Sequence, residues 1–89
     1  MLRIFFSSHG TRAFAKAPRN VQERIVKELE SLAHNKFWYR QVKKLEGSEN
    51  RYRLRVNRWR VLFIHQRDEM EIMDVFLRRE DSDYRRHLS

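Results

Sequence analysis

The residues best suited to chemistry in this chain form one basic run, Arg51 to Arg60, which reads RYRLRVNRWR. It holds five arginines and no acid, and three of the arginines alternate with apolar or aromatic residues. Side chains of a β-strand alternate between its faces, so the run predicts one apolar face and one row of guanidinium groups. The apolar members are Tyr52, Leu54 and Val56, and the row consists of Arg51, Arg53 and Arg55. Because like charges repel, we expect a polyanion such as a phosphate backbone to relieve the crowding.

The composition agrees with a basic, folded protein. The 89 residues predict a single domain, 1–89, and the net charge is +8. Six Phe, three Tyr and two Trp supply bulky core members. Clustered positive charge favours a nucleic acid or an acidic protein as the partner. A membrane-surface role is disfavoured, because no long basic helix with a broad apolar face is visible.

Several classes of site are excluded or disfavoured. The chain has no cysteine, so disulfides, thiolate chemistry and Cys-ligated zinc are excluded. The four histidines lack metal-ligand spacing, and we expect no metal and no cofactor. The N-terminal apolar run, Ile4 to Phe6, is too short for a signal peptide or a membrane span. We therefore expect a cytoplasmic protein that has no membrane contact.

Two helices are predicted after a first strand at Leu2 to Ser7. Thr11 to Ala17 favours a short helix, which Pro18 ends. Asn20 is then predicted to cap a second helix, with Glu23 completing a capping box. The apolar stripe of this helix recurs at steps of four, four and three residues, and the helix should end near His34-Asn35. The stripe consists of Val21, Ile25, Leu29 and Leu32.

The second half of the chain predicts strands joined by tight turns. A short edge strand at Val42 to Leu45 is followed by Arg51 to Val56, Trp59 to His65 and Met70 to Leu77. Asn57-Arg58 forms a turn, since Asn tolerates a left-handed backbone. Short hairpins imply antiparallel pairing. The fold class is therefore a two-layer α+β domain, β-α-α-β-β-β, with an antiparallel-rich sheet and two N-terminal helices packed on one face.

The register between the two central strands decides how many arginines meet. On the strand that begins at Trp59, Arg60 points to the same face as Leu62 and Ile64. If that face of the strand is also the face of Arg53 and Arg55, the guanidinium groups of all three arginines converge. A slip of one residue would turn Arg60 to the other face.

Residues 43–86 carry an ordered set of short motifs. They are a K-L-x-G motif, a Y-R-L-R-V strand, a hydrophobic residue before R-V-L-F, an I-x-x-V strand, and a late arginine followed by a tyrosine. The chain meets them at Lys44–Gly47, Tyr52–Val56, Trp59–Phe63, Ile72–Val75, Arg78 and Tyr84. In this order the motifs resemble the RelE/ParE superfamily of bacterial toxins. The β-α-α-β-β-β order of that family agrees with the elements predicted above.

The resemblance implies a toxin of a type II toxin–antitoxin system. RelE-like members cut messenger RNA in the ribosomal A site, whereas the ParE-like branch poisons DNA gyrase. In both branches an antitoxin holds the toxin inactive, and operator DNA is bound only through the toxin–antitoxin complex. Three alternatives stay open: the ribosome-dependent endoribonuclease, the gyrase inhibitor, and a basic nucleic-acid-binding module without catalysis.

A RelE-like activity implies a set of catalytic residues. The ribose 2′-hydroxyl would attack the adjacent phosphate, which requires a base, positive charge on the phosphorane and an acid. The resemblance assigns these roles to Arg53, Arg55, Arg60, Arg78, Tyr84 and His87. RelE has lysines at the positions of Arg53 and Arg55, and arginine is a poor general base because it stays protonated. The resemblance makes His87 a candidate base, because several relatives use a histidine near the C-terminus, and His65 is a weaker candidate.

Further basic residues are expected to hold the RNA. They are Lys43, Lys44, Arg51, Arg58, Arg79 and Arg85. Plainer interpretations exist for some of the site residues. Arg60 could pair with Glu46 or Glu49 in a structural salt bridge, and His87 could be an ordinary surface histidine.

Overall fold

The chain folds into two α-helices, a short 3-10 helix and five strands over residues 2–78, the part that a computed structural model describes. The bounds in chain order are β1 (Arg3–Phe6), α1 (Ser8–Ala15), α2 (Arg19–Ala33), the 3-10 helix (Trp38–Arg40), β2 (Lys43–Lys44), β3 (Arg51–Val56), β4 (Trp59–Gln66) and β5 (Glu69–Leu77). Within this part, no helix combines the length and apolar character needed to cross a membrane.

The five strands form one mixed sheet in the order β1-β5-β4-β3-β2. The β3–β4 and β4–β5 pairs are antiparallel hairpins, as their short turns predict. β1 pairs with β5 in parallel, with Arg3 opposite Glu69 and Phe6 opposite Ile72. The predicted α+β class with an antiparallel-rich sheet is confirmed.

Helix α2 supplies the helical side of the core. Its predicted stripe is confirmed, since Ile25, Leu29 and Leu32 are all buried. Each is at most 2% exposed, and they pack against buried residues of β3, β4 and β5. The sheet members of this core are Leu54, Val56, Val61, Phe63, Met70, Ile72 and Val75. Burial of these apolar side chains fixes which face of each strand lies under the helix.

The helix starts differ from those predicted. Helix α1 begins at Ser8, not Thr11, because the Ser7 hydroxyl accepts a hydrogen bond from Gly10 N at 2.9 Å and caps it. Helix α2 begins at Arg19, so the predicted Asn20 cap and capping box are wrong. Pro18 stands in the cap position, and its carbonyl accepts from the backbone N–H groups of Val21 and Gln22 at 3.0 and 2.9 Å.

Gly10 lets α1 approach the backbone of β5. A Cβ built at this position would lie 2.1 Å from the carbonyl oxygen of Ile72. The same carbonyl accepts a hydrogen bond from Ser7 N at 3.0 Å. The first turn of α1 therefore lies against the β5 backbone at a distance that only glycine permits.

Two tight turns have left-handed residues. Asn57 has φ 56° in the β3–β4 turn, as predicted from its tolerance of this conformation. Arg67 also has φ 56°, in the β4–β5 turn, although arginine does not favour this conformation. Gly47, with φ 78°, provides the bend between β2 and β3.

The connector between α2 and β2 closes one end of the core. The edge strand is only Lys43–Lys44, shorter than predicted, and the 3-10 helix before it was not predicted. The Trp38 ring packs edge-on against Tyr52, with centroids 5.0 Å apart. It also lies 4.3 Å from the ring of His65. These contacts place His65 on the core side of the sheet.

Candidate nucleic-acid interface

The observed register brings three arginines to one face of the sheet. Arg55 is directly opposite Arg60 in the β3–β4 pair, and Arg53 is two residues from Arg55 on the same strand. Directly opposite residues have Cβ atoms about 4.5–5.5 Å apart and share a face. The three guanidinium groups of Arg53, Arg55 and Arg60 therefore lie on the same face, which the sequence alone could not decide. We call the sheet side turned away from α2, with Arg51, Arg53, Arg55 and Arg60, the arginine face.

The edge strand adds a fifth cation, Lys43, to the four arginines of this face. Lys43 is opposite Arg53 in the β2–β3 pair and is exposed. Arg51 and Arg55 are exposed and Arg53 is partly buried. A compact positive surface therefore spans β2, β3 and β4, and it is suited to phosphate groups.

Arg60 is the buried member of the group, with 4% of its surface exposed. Its Nη1 donates to the carbonyl oxygens of Asn57 at 3.1 Å and Trp59 at 2.9 Å. Hydrogen bonds of this kind compensate for the cost of burying a charge. Arg60 thus holds the β3–β4 turn and places positive charge beneath Arg55.

The turn end of the sheet brings Arg58 and Arg78 together. Arg78 N donates to the carbonyl of Arg58 at 2.8 Å, which extends the β4–β5 pairing by one step. Arg60 is opposite Phe76, two residues before Arg78, so the backbone at Arg78 lies at the Arg60 end of the sheet. Arg58 is an exposed residue of the β3–β4 turn, next to the strand that holds Arg60.

Other predicted residues lie apart from this group. Lys44 is opposite Tyr52, so it belongs to the core side of the sheet rather than the arginine face. His65 is opposite Met70 on the core side. Glu46 and Glu49 belong to the loop at the Arg51 end of β3, whereas Arg60 lies at the Asn57 end. Arg79, Tyr84, Arg85 and His87 lie outside the described residues.

A β-bulge on β5 brings an acid to the arginine face. The pairing shifts between Leu62 and Phe63, so that Leu62 is opposite Asp74 and Phe63 is opposite Ile72. Met73 is the extra residue, and it is partly buried. Asp74 consequently shares the face of Arg53 and Arg60, and it is 7% exposed.

A histidine that sequence reasoning did not single out contacts this acid. β1 ends at Phe6 while β5 continues, and α1 packs beside the second half of β5. The Nε2 of His9 lies 3.2 Å from Oδ1 of Asp74, and the His9 side chain is 64% exposed. The same Oδ1 accepts from Val75 N at 2.8 Å. The contact spans 65 residues of chain, so no local sequence pattern could have indicated it.

The fold has clear counterparts among solved structures. The isolated RelE toxin of E. coli matches with a TM-score of 0.78 and 14% identity over 98% of this chain and 95% of that chain. A chain of the RelB–RelE antitoxin–toxin complex from Methanococcus jannaschii matches with a TM-score of 0.68 and 21% identity over 89% and 95%. A chain of the archaeal RelE–RelB complex from Pyrococcus horikoshii matches with a TM-score of 0.71 and 21% identity over 86% and 94%.

Sequence comparison finds no matching family model and no matching curated protein. Similarity is therefore carried by the arrangement of helices and strands, over nearly the full length of the solved chains. This agrees with the resemblance that the ordered motifs indicated. The chain has the RelE toxin fold.

Proposed function

We propose that this protein is the toxin of a type II toxin–antitoxin system and cuts messenger RNA in the ribosomal A site. The observation that carries the proposal is the adjacency of Lys43, Arg53, Arg55 and Arg60 on one sheet face. The likeness to RelE toxins supports it, since this face belongs to a fold that those toxins share. The protein would act in the cytoplasm, where ribosomes are.

The proposed chemistry is a transesterification at one phosphate. The 2′-oxygen attacks phosphorus, the bond to the 5′-oxygen breaks, and negative charge builds up on the phosphorane oxygens. Arg53 and Arg55 would contact those oxygens, while the buried Arg60 adds to the local positive potential. A preorganised donor aimed at such charge contributes about 2–4 kcal/mol to transition-state stabilisation. Arg78 would extend the contact with the RNA at the turn end of the face.

An antitoxin is the second proposed partner. The solved structures that match include RelB–RelE complexes from three organisms, which supports a cognate antitoxin here. An acidic segment of that antitoxin would neutralise the arginine face and block RNA. Operator DNA would be bound only by the toxin–antitoxin complex.

The test is cleavage of a defined message on purified ribosomes, read by primer extension. Ribosomes programmed with one known A-site codon are mixed with wild-type protein, Arg55→Ala or Arg19→Ala. Arg55 is exposed, so its replacement leaves the turn-holding hydrogen bonds of Arg60 intact. Arg19 is the matched control, because it removes the same charge from α2, where its side chain is 91% exposed.

We expect cleavage within the A-site codon by the wild-type protein and by Arg19→Ala. Arg55→Ala should cleave about 100-fold more slowly, which corresponds to the loss of one such donor. An intact message with a protein that still arrests growth would refute the nuclease and direct attention to gyrase, through a supercoiling assay. Intact message without growth arrest would leave only nucleic-acid binding.

A further inference from the structure

We propose that His9 is the proton acceptor for the RNA 2′-hydroxyl and that Asp74 positions its imidazole. This inference rests on the proposed function, because it assigns a residue to the same cleavage reaction. It begins from the contact between His9 Nε2 and Asp74 Oδ1 at the border of the arginine face.

The arginine face needs a base that its cations do not supply. Arginine stays protonated at every physiological pH, so Arg53 and Arg55 cannot accept the hydroxyl proton. Asp74 is nearly enclosed, with a side chain 10% exposed and hydrogen-bonded to the backbone of Val75. His9 is 64% exposed and adjacent, so a substrate can reach it.

The hydrogen bond to Asp74 determines which ring nitrogen is available. A carboxylate oxygen accepts, so Nε2 of His9 donates in this contact, and in the neutral ring the lone pair is then on Nδ1. The N–H of Val75 fixes the position of the same carboxylate oxygen at 2.8 Å. Helix α1 fixes the other partner, because Gly10, the next residue after His9, is packed against the β5 backbone. The basic nitrogen is therefore directed away from Asp74.

The strands place His9 within a nucleotide's reach of the cations. Asp74 is opposite Leu62, and Arg60 lies on the diagonal from Asp74 in the same pair of strands. Diagonal neighbours of this kind are about 7–8 Å apart. On β3, Arg53 is opposite the same Leu62. It therefore lies two strand spacings, or about 10 Å, from Asp74. A ribose and its phosphate can span this gap, with the phosphate at the guanidinium groups.

The charges near His9 fit this role. Asp74 faces it from β5, and Arg12 lies one turn further along α1. Arg60 and Arg53 lie beyond Asp74 on the neighbouring strands. Asp74 therefore lies between His9 and these arginines, and its hydrogen bond holds the ring at the border of the arginine face.

The step balances without an added reactant. The 2′-hydroxyl proton passes to Nδ1 of His9 as the 2′-oxygen bonds to phosphorus. The phosphorus–5′-oxygen bond breaks, and the leaving oxygen takes a proton from water. His9 returns its proton to water, and the products are a 2′,3′-cyclic phosphate and a 5′-hydroxyl.

The experiment measures single-turnover cleavage on programmed ribosomes at saturating protein. His9→Gln keeps an amide that can donate to Asp74 but has no basic nitrogen, so we expect the rate to fall about 100-fold or more. The protein concentration that gives half-maximal cleavage should not change. His34→Gln is the matched control, since His34 contacts the Glu30 carbonyl at the end of α2 and should cleave at the wild-type rate.

Two further measurements separate proton transfer from structural support. Added imidazole should raise the rate of His9→Ala and leave the wild-type rate unchanged, because it replaces the missing base. Asp74→Asn should slow the wild-type protein but have no further effect in the His9→Gln background. A purely structural Asp74 would slow both backgrounds equally and overturn its positioning role.

Failure of this inference is distinct from failure of the proposed function. Wild-type cleavage with an undiminished His9→Gln rate would show that the base lies elsewhere, while the nuclease assignment stands. An impaired His9→Ala that imidazole does not restore would also overturn it. Absence of cleavage by the wild-type protein would remove both proposals together.

Discussion

The contact between α1 and β5 makes Gly10→Ala destabilising, although the same change usually stabilises a helix. At an ordinary internal helix position, alanine is favoured over glycine by about 1 kcal/mol. At this position a Cβ would lie 2.1 Å from the carbonyl oxygen of Ile72, whereas real Cβ contacts are essentially never under 3.0 Å. The helix must therefore move away from the strand by the difference, about 0.9 Å.

The cost of that movement exceeds the gain in helix propensity. Inserting a methyl group into a tight contact costs about 1–3 kcal/mol. The movement also weakens the hydrogen bond from Ser7 N to the Ile72 carbonyl, and a bond of this type contributes about 0.5–1.5 kcal/mol. After subtraction of the propensity gain, we expect Gly10→Ala to lower the free energy of unfolding by about 0.5–3.5 kcal/mol.

Urea unfolding followed by tryptophan fluorescence measures this change, because Trp38 and Trp59 both pack against the core. Arg12→Ala is the control, since it alters an exposed position of the same helix and should change stability by less than about 0.5 kcal/mol. A Gly10→Ala protein as stable as the wild type, or more stable, would refute the close packing of α1 on Ile72.

Three other predictions concern the core, a turn and the arginine face. Leu29→Ala should lower the unfolding free energy by about 2–5 kcal/mol in the same urea assay, because Leu29 is 2% exposed in the core; a loss below 1 kcal/mol would contradict its burial. Arg67→Asn should raise the melting temperature through a gain of about 0.5–1 kcal/mol, since asparagine tolerates the φ of 56° better than arginine does; a lower melting temperature would argue against this turn. Binding of single-stranded RNA can be measured by fluorescence anisotropy, and the log of the binding constant should fall with the log of salt concentration at a slope of about −3 for four phosphate contacts. Arg55→Ala should reduce the size of this slope by about 0.7. An unchanged slope would place Arg55 outside the interface.

Much of the fold could be predicted from the sequence because its signals are local. The stripe of Ile25, Leu29 and Leu32 has helical spacing, and all three residues are buried. Asn57 tolerates the left-handed conformation that its turn adopts. Helix starts were harder to predict, because Pro18 and Asn20 both suit the first positions of a helix and only the carbonyl hydrogen bonds decide between them.

The candidate site was predicted only in part. The arginine row of β3 follows from strand alternation, which needs no knowledge of neighbouring strands. Whether Arg60 joins it depends on the β3–β4 register, which a slip of one residue would reverse. Four residues near the C-terminus were also expected to contribute, and they lie outside the described residues, so their roles stay predictions. They are Arg79, Tyr84, Arg85 and His87.

The sequence by itself determined the alternation that gives this protein one apolar and one basic sheet face. That pattern is set by neighbouring residues in the chain, whose directions are fixed by backbone geometry. Only the tertiary structure decided that Asp74 joins the arginine face and that His9 contacts it. The first depends on a β-bulge opposite Leu62 and the second on the docking of α1 against β5, and both result from packing between distant segments.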